Sequence, residues 1–327
     1  MIVPLLMRSI SGMEMIRGMN YYGLETTSRD FVCGWVHRPS YYLEKLDYLG
    51  FNSIRLPFSL QYVNEGNFEK MDEFFDALSK YGNMTVVLDM HRVFSSHQGP
   101  TPTENGVSLD EFIDGWTRIA KRYQNNTQLI GLDIFNEYQG TDVGYWNDIL
   151  HQILVRLEDV FPNRFLYFVG GTRWGGDLRN INLEDLPFNK RIRYTIHKYS
   201  FSTLGNSMEA DWDWSFGEFR DIPHKVSVGE WGFKTQNWDQ KNWGTNFVNY
   251  LIQHNVRDTY FWTIAHSGDT DGLWFDDCEN INIEKYNFIK AIWTGKFEVE
   301  KPKLRGNNST NQNNGFGGIL RPFLPWK

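Results

Sequence analysis

The sequence predicts an α/β fold, a (β/α)8 TIM barrel built as a single domain. Short apolar, β-rich runs alternate with amphipathic helical segments and recur every ~30 to 45 residues, the spacing of such a barrel's repeating unit. Eight such runs can be read between Ile16 and Thr263. The rival open, doubly wound sheet ordinarily shows a glycine-rich phosphate turn after its first strand. Met19-Asn20-Tyr21-Tyr22-Gly23 stands there instead.

Each element has its own signal. Ile16 to Asn20 reads as the first strand, and a helix opens at Pro39 and stops at Gly50. Asn52 to Pro57 is the second strand, followed by a helix over Phe68 to Tyr81 with Phe74, Leu78 and Tyr81 on one face. Met84 to His91 is the third. The next helix opens on a capping box, Ser108 with Glu111, and places Leu109, Phe112, Ile113, Trp116, Ala120 and Tyr123 toward the core. Leu129 to Glu137 is the fourth strand, and Leu150, Ile153, Leu154 and Leu157 mark its return helix. Arg164 to Val169, Arg193 to Tyr199, Lys225 to Glu230 and Asp258 to Thr263 complete the set. A helix with Trp243, Phe247, Tyr250 and Leu251 precedes the eighth strand, and Ile283 to Trp293 is the last helix. The helices after strands five and six have the poorest periodicity; Asp211 to Phe219 is aromatic and acidic.

The chain divides into an N-terminal extension over 1–15, the barrel over 16–301 and an Asn/Gly-rich tail over 302–327. The tail's apolar end, Ile319 to Trp326, reads as a segment that docks back on the barrel or meets a partner. Met1 to Met7 is apolar, but Arg8 ends it too early for a convincing signal peptide, so the compartment stays open. Acceptor patterns for N-glycosylation at Asn83, Asn125, Asn307 and Asn308 come cheaply in an Asn-rich chain.

Composition narrows the class of function. Hydrophobic residues at 41% and charged residues at 22% are ordinary for a soluble globular protein. Aromatic content of 16% is high, and Trp beside polar groups makes flat platforms for sugar rings. A net charge of −7 argues against nucleic acid, and no apolar run is long enough to span a membrane. Two cysteines exclude a disulfide framework and a four-cysteine zinc site. A monomer without cofactor or metal is expected.

Chemistry-bearing residues gather at strand ends. Arg55, His91, Asn136, Glu137, His197, Tyr199, Glu230 and Trp262 end strands whose carboxyl ends converge on one mouth in a barrel. Singly, each has a plain alternative: an ion pair for Arg55, a hydrogen-bonded scaffold for a histidine, core for Trp262. Together they suit glycosidic cleavage, which needs a proton donor and a second carboxylate that attacks carbon or activates water. Strands four and seven face each other across a barrel, leaving room for a sugar between Glu137 and Glu230. Arg55 and Tyr199 are suited to holding one carboxylate ionised. Asn136 can bond a sugar hydroxyl, and Trp262 can stack on the ring.

The chain resembles glycoside hydrolase family 5 over about Arg17 to Trp293. The matching pieces are Arg17-Gly18-Met19-Asn20, Ile54-Arg55-Leu56-Pro57, Leu88-Asp89-Met90-His91, Asn136-Glu137, His197-Lys198-Tyr199, Gly229-Glu230-Trp231-Gly232 and the Trp262 strand. The resemblance implies a retaining barrel enzyme with Glu137 as acid/base and Glu230 as nucleophile. It further implies that Arg55 and Tyr199 contact the nucleophile, that His91, Asn136 and His197 complete the polar shell, and that Trp262 floors the subsite before the cleaved bond. Trp231 and Trp174 join the expected substrate-binding residues. Trp174-Gly175-Gly176-Asp177-Leu178 and Ser267 to Leu273 look like segments of members that cleave β-1,4-glucan, so a β-glucan polysaccharide is the expected partner and an extracellular site of action follows from it. The family usually has Pro after its Asn-Glu pair and often His before it; Tyr138 and Phe135 stand here.

Other readings remain beside this one. The same chemistry can act on mannan, xyloglucan or a glycolipid headgroup, since specificity lives in loops such as Asn20 to His37 and Phe94 to Gly106. A non-catalytic carbohydrate-binding barrel would lack one of the glutamates, and both are present. A metal-dependent hydrolase would recruit Asp89, His91 and His197, but the early histidine pair such barrels show does not occur. Cys33 and Cys278 fall in loops that neighbour each other around a closed barrel; two buried free thiols are the simpler state, with a disulfide as the alternative.

Overall fold

A computed structural model of the chain describes residues 14–201, 208–268 and 270–296. Most of the N-terminal extension, the whole Asn/Gly-rich tail with Asn307 and Asn308, and Asp269 lie outside the described residues. Eight parallel strands close into a barrel in sequence order. They are β1 (Arg17–Asn20), β2 (Ser53–Ser59), β3 (Thr85–Arg92), β4 (Leu129–Asp133), β5 (Leu166–Gly170), β6 (Ile192–Tyr199), β7 (Val226–Gly232) and β8 (Thr259–Phe261). Closure is made by β1 against β8, with Gly18 opposite Tyr260.

The helices around it are α1 (Pro39–Leu49), α2 (Leu60–Glu65), α3 (Glu69–Leu78), α4 (Leu109–Tyr123), α5 (Val143–Val160), α6 (Thr172–Gly175), α7 (Met208–Arg220), α8 (Trp238–Gln253) and α9 (Ile283–Thr294). Local chemistry sets their ends. Pro39 opens α1 and Gly50, left-handed at φ 92°, closes it. At α4 the capping box forms: Ser108 accepts from the Glu111 backbone, and the Glu111 carboxylate accepts from Ser108 N at 2.8 Å. No helix among the described residues is long and apolar enough to cross a membrane.

The two-residue period of the strands sorts the chemistry. On β3, Val86, Leu88 and Met90 point outward into the layer under the helices, while Val87, Asp89 and His91 point into the barrel. On β2, Ile54, Leu56 and Phe58 pack outward and Arg55 points in. Ile16, Val87, Leu166, Phe168 and Tyr260 plug the barrel's lower interior. Above that plug the interior is polar, and the site is built there.

The sequence expectations need four corrections. The fourth strand ends at Asp133, so Asn136 and Glu137 stand in the loop beyond it. Strand five is followed by no regular helix but by the four-residue α6, in which Arg173 and Trp174 are left-handed. The helix read over Phe68 to Tyr81 is shorter at both ends. Cys33 and Cys278 are not free thiols: they form a disulfide with Cα atoms 5.6 Å apart. The loops after β1 and β8 meet at the barrel's closing seam, which brings together residues separated by 245 positions.

A cross-link closing so long a loop removes much entropy from the unfolded chain, ~5 kcal/mol on the chain-entropy scale. Reduction, or a Cys33→Ser/Cys278→Ser double substitution, is therefore expected to lower the thermal midpoint. Calorimetry with and without reductant tests it, and equal midpoints would show that the bond constrains nothing.

Candidate active site

Arg55 is the centre of the polar interior. Its side chain is fully buried and reaches acceptors on several strands. Nε donates to Asp133 Oδ2 at 2.7 Å, Nη1 to Glu230 Oε1 at 2.7 Å and to Asn20 Oδ1 at 3.0 Å, and Nη2 to Asn136 Oδ1 at 2.8 Å. Asp89 Oδ1 lies 3.1 Å from Nη2. Burial alone would lower the Arg55 pKa, but Asp89, Asp133 and Glu230 together raise it above its usual value.

The remaining hydrogen bonds orient the shell. Asn136 Oδ1 accepts from Arg55, so its amide nitrogen faces His91 Nε2 at 3.2 Å. That assignment leaves Nε2 as acceptor and puts the proton of a neutral ring on Nδ1, 2.6 Å from Asp89 Oδ2. Burial pushes the His91 pKa well below the usual histidine range, in keeping with a neutral ring. Tyr199 donates its hydroxyl to Glu230 Oε2 at 2.7 Å. Burial first, and Glu230 second, raise that phenol far above its usual range, so it stays a donor.

Glu137 is set apart from Glu230. Among the described residues no lysine or arginine bonds it; its Oε1 meets His197 Nδ1 at 3.0 Å, and its side chain keeps 18% exposure to the cavity. Burial raises its pKa to about 7, against the opposing pull of Arg55 and Arg92. Burial also lowers the His197 pKa. One oxygen of Glu137 and one of Glu230 lie within 4.8 Å of each other, with a His197 nitrogen in the same group. Glycine permits this crowding. A Cβ on Gly229 would stand 2.1 Å from Thr195 Oγ1 and 3.1 Å from His197 Nε2, so β7 could not seat Glu230 opposite His197.

A cavity of about 610 Å³ opens above these groups. His91, Asn136, Glu137, His197, Tyr199, Glu230, Trp262 and Trp174 line it, while Arg55 lies beneath. Trp262 stacks on the His91 ring at 5.3 Å and on Tyr22 at 5.6 Å. Trp231 is the exception among the expected site residues. It is fully buried against Phe233, Phe247 and Phe261, because alternation along β7 sends it outward when Glu230 points in. Asn20 and Asp133 carry the network although neither has a site role of its own in the sequence reading, and Asp89 has one only as a metal-ligand candidate. Buried acids inside apolar strands were the available signal. Arg92, Gln98, Arg173, Phe201, Ser267 and Thr270 complete the cavity wall.

Two sets, Asp89–His91–Glu230 and Glu137–His197–Glu230, have ligand atoms close enough for a metal ion. Their donors are already engaged with one another, and a cation there would face the Arg55 guanidinium that bonds Glu230. The residues do not fit a metal well.

The Tyr138 departure has a structural basis. Its ring is stacked on Trp146 with centroids 4.5 Å apart, and Trp146 Nε1 donates to Gly170 O at 2.9 Å. Phe135 packs edge-on against Phe112 and Trp146. Both replacements fill the layer between β4, β5 and α5, outside the ring of polar groups.

Comparison with known proteins agrees with this architecture. Residues 13–268 match the family described as Cellulase (glycosyl hydrolase family 5). The chain is 25% identical over 341 residues to the major extracellular endoglucanase of Xanthomonas campestris pv. campestris, covering 85% of this chain and 67% of that one. It is 25% identical over 339 residues to an endoglucanase of Paenibacillus polymyxa, covering 86% and 84%. Among solved structures, a cellotetraose complex of an endocellulase from Pyrococcus horikoshii superposes with a TM-score of 0.76 at 24% identity, over 86% of this chain and 93% of that one. That likeness speaks to the fold. The family match extends over most of the barrel and takes in both glutamates, so the chain belongs to glycosyl hydrolase family 5 and is a glycoside hydrolase.

Proposed function

We propose that this enzyme is a retaining endo-β-1,4-glucanase that works by double displacement. The observation that carries the mechanism is the closeness of Glu137 and Glu230, with oxygens within 4.8 Å. Retaining enzymes hold their carboxyl groups about 5–5.5 Å apart, whereas inverting ones need about 6.5–9.5 Å to admit a water.

The environments divide the labour. Arg55 and Tyr199 each give one hydrogen bond to Glu230, which fixes both of its oxygens for attack. Glu137 keeps its proton up to about pH 7 and hands it to the leaving oxygen as the glycosidic bond breaks and Glu230 bonds the anomeric carbon. Its carboxylate then takes a proton from the water that displaces Glu230. Asn136, fixed between Arg55 and His91, presents its amide to the sugar hydroxyl beside the reacting carbon. The Trp262 ring supports the sugar before the cleaved bond.

The glucan assignment rests on the relatives named endoglucanases and on the sugar platforms in the wall. The Cys33–Cys278 disulfide favours an oxidising compartment, consistent with action outside the cell. On a panel of soluble polysaccharides, β-1,4-glucan is expected to give the highest turnover. Faster cleavage of mannan would move the specificity elsewhere within the same chemistry.

Two variants and one profile test the roles. Glu230→Gln is expected to abolish hydrolysis while binding of cello-oligosaccharide persists, and retained turnover would refute the nucleophile. For kcat/KM, the basic limb should fall as pH rises through about 7, where Glu137 loses its proton. Glu137→Gln should lose about 10²- to 10⁴-fold in rate and that limb with it. A limb unchanged in the variant would assign the proton to another group.

A further inference from the structure

We propose that Arg173 selects β-glycans whose leaving-group sugar carries a carboxylate, such as a uronosyl unit. This rests on the reading of Glu137 as the proton donor to the leaving oxygen.

The backbone supplies the first observation. Arg173 (φ 55°, ψ 59°) and Trp174 (φ 56°, ψ 44°) are consecutive left-handed residues, neither of them glycine. Each such residue costs about 1–2 kcal/mol, and strain of this kind persists where the surroundings over-determine it, often at ligand sites. Here the surroundings are the segment that directly follows Glu137. Arg173 N donates to Gly140 O at 3.0 Å and Trp174 N to Tyr138 O at 2.9 Å. Thr172 and Asp177 exchange backbone bonds on either side. The pair is thereby indexed to the segment that carries the proton donor to the leaving oxygen.

The second observation is the guanidinium's environment. Arg173 lines the cavity with its side chain 43% exposed. Among the described residues its only ionic neighbour is Asp177, at 3.6 Å. That carboxylate already accepts from Arg179 at 2.9 and 2.7 Å, and Arg179 lies over the Trp214 ring. Arg173 therefore turns a largely unspent planar fork toward the cavity, and a carboxylate is the group that such a fork binds through two bonds.

The third is the charge of the wall. Beneath the cavity Arg55 is shared by Asp89, Asp133 and Glu230, and Glu137 keeps its proton up to about pH 7. Arg92 and Arg173 are the two arginines of the cavity wall, in a chain whose net charge is −7. Trp174 and Phe201, at 55% and 62% exposure, add apolar faces to the same wall, so a stacked sugar would bring a substituent at its ring edge toward the guanidinium. A neutral glucan makes no use of that charge.

The test compares kcat/KM for two trisaccharides, cellotriose and its analogue with glucuronic acid at the reducing end. The reaction scored is release of the reducing-end sugar from each. In Arg173→Gln the ratio of acidic to neutral substrate is expected to fall about tenfold, the worth of one charged hydrogen bond, whatever the absolute rates. Arg173→Lys should keep part of the preference, since it keeps charge without the fork. In the native enzyme, raising salt should also lower the ratio. This arm needs no variant, and a ratio indifferent to salt would overturn the proposal. Hydrolysis of both substrates with an unchanged ratio in Arg173→Gln sinks this inference alone. Failure of the native enzyme on both sinks the glucanase reading and this inference with it.

Discussion

One buried guanidinium organises the upper half of this barrel. Arg55 donates to four acceptors, Asp133, Asn20, Glu230 and Asn136, and forms an ion pair with Asp89. These come from β1, β3, β4, the loop after β4, and β7. A lysine has three donors and no plane, so it could not hold this set in register. Losing the guanidinium would leave buried carboxylates without a counter-charge, a change that costs about 3–5 kcal/mol for a single broken pair. Stability and chemistry are joined at this point, because the group that neutralises the interior also fixes Glu230 and Asn136.

The proton inventory follows from that centre. Asp89 is raised to about 7 and Asp133 to about 6, both chiefly by burial and both resisted by Arg55. Glu137 shares their burial but has no direct bond to the arginine. Arg55 thus bonds Glu230 directly, while burial raises the Glu137 pKa against the pull of the same arginine. Two glutamates thereby stand in different surroundings, one bonded to the guanidinium and the other to His197.

Much of this was legible in the chain. The apolar runs and helical stripes located all eight strands, and Ser108 with Glu111 located a helix start to the residue. Of the residues read at strand ends, His91, Asn136, Glu137, His197, Tyr199, Glu230 and Trp262 line one cavity and Arg55 lies beneath it, although Asn136 and Glu137 stand beyond β4 and Trp262 beyond β8. What escaped was set by contacts between distant residues. Arg55 meets Asp133 across 78 positions and Glu230 across 175, and no local pattern encodes those pairings. Cys33 and Cys278 meet only because β1 closes on β8. The left-handed Arg173–Trp174 turn is fixed by backbone bonds to the loop after Glu137, a tertiary effect that overrides propensity. Trp231 is a different case: strict alternation from Glu230 already places it outward, and its neighbour's place in the matching Gly229-Glu230-Trp231-Gly232 piece does not change that.

The central claim is that Glu137 and Glu230 stand close enough for direct attack on the anomeric carbon, with no water between. The stereochemistry of the first-formed product tests it most directly. Proton NMR during early hydrolysis of a cello-oligosaccharide, before mutarotation, should show the new reducing end in the β configuration. An α product would mean inversion, and would contradict the nucleophilic role of Glu230.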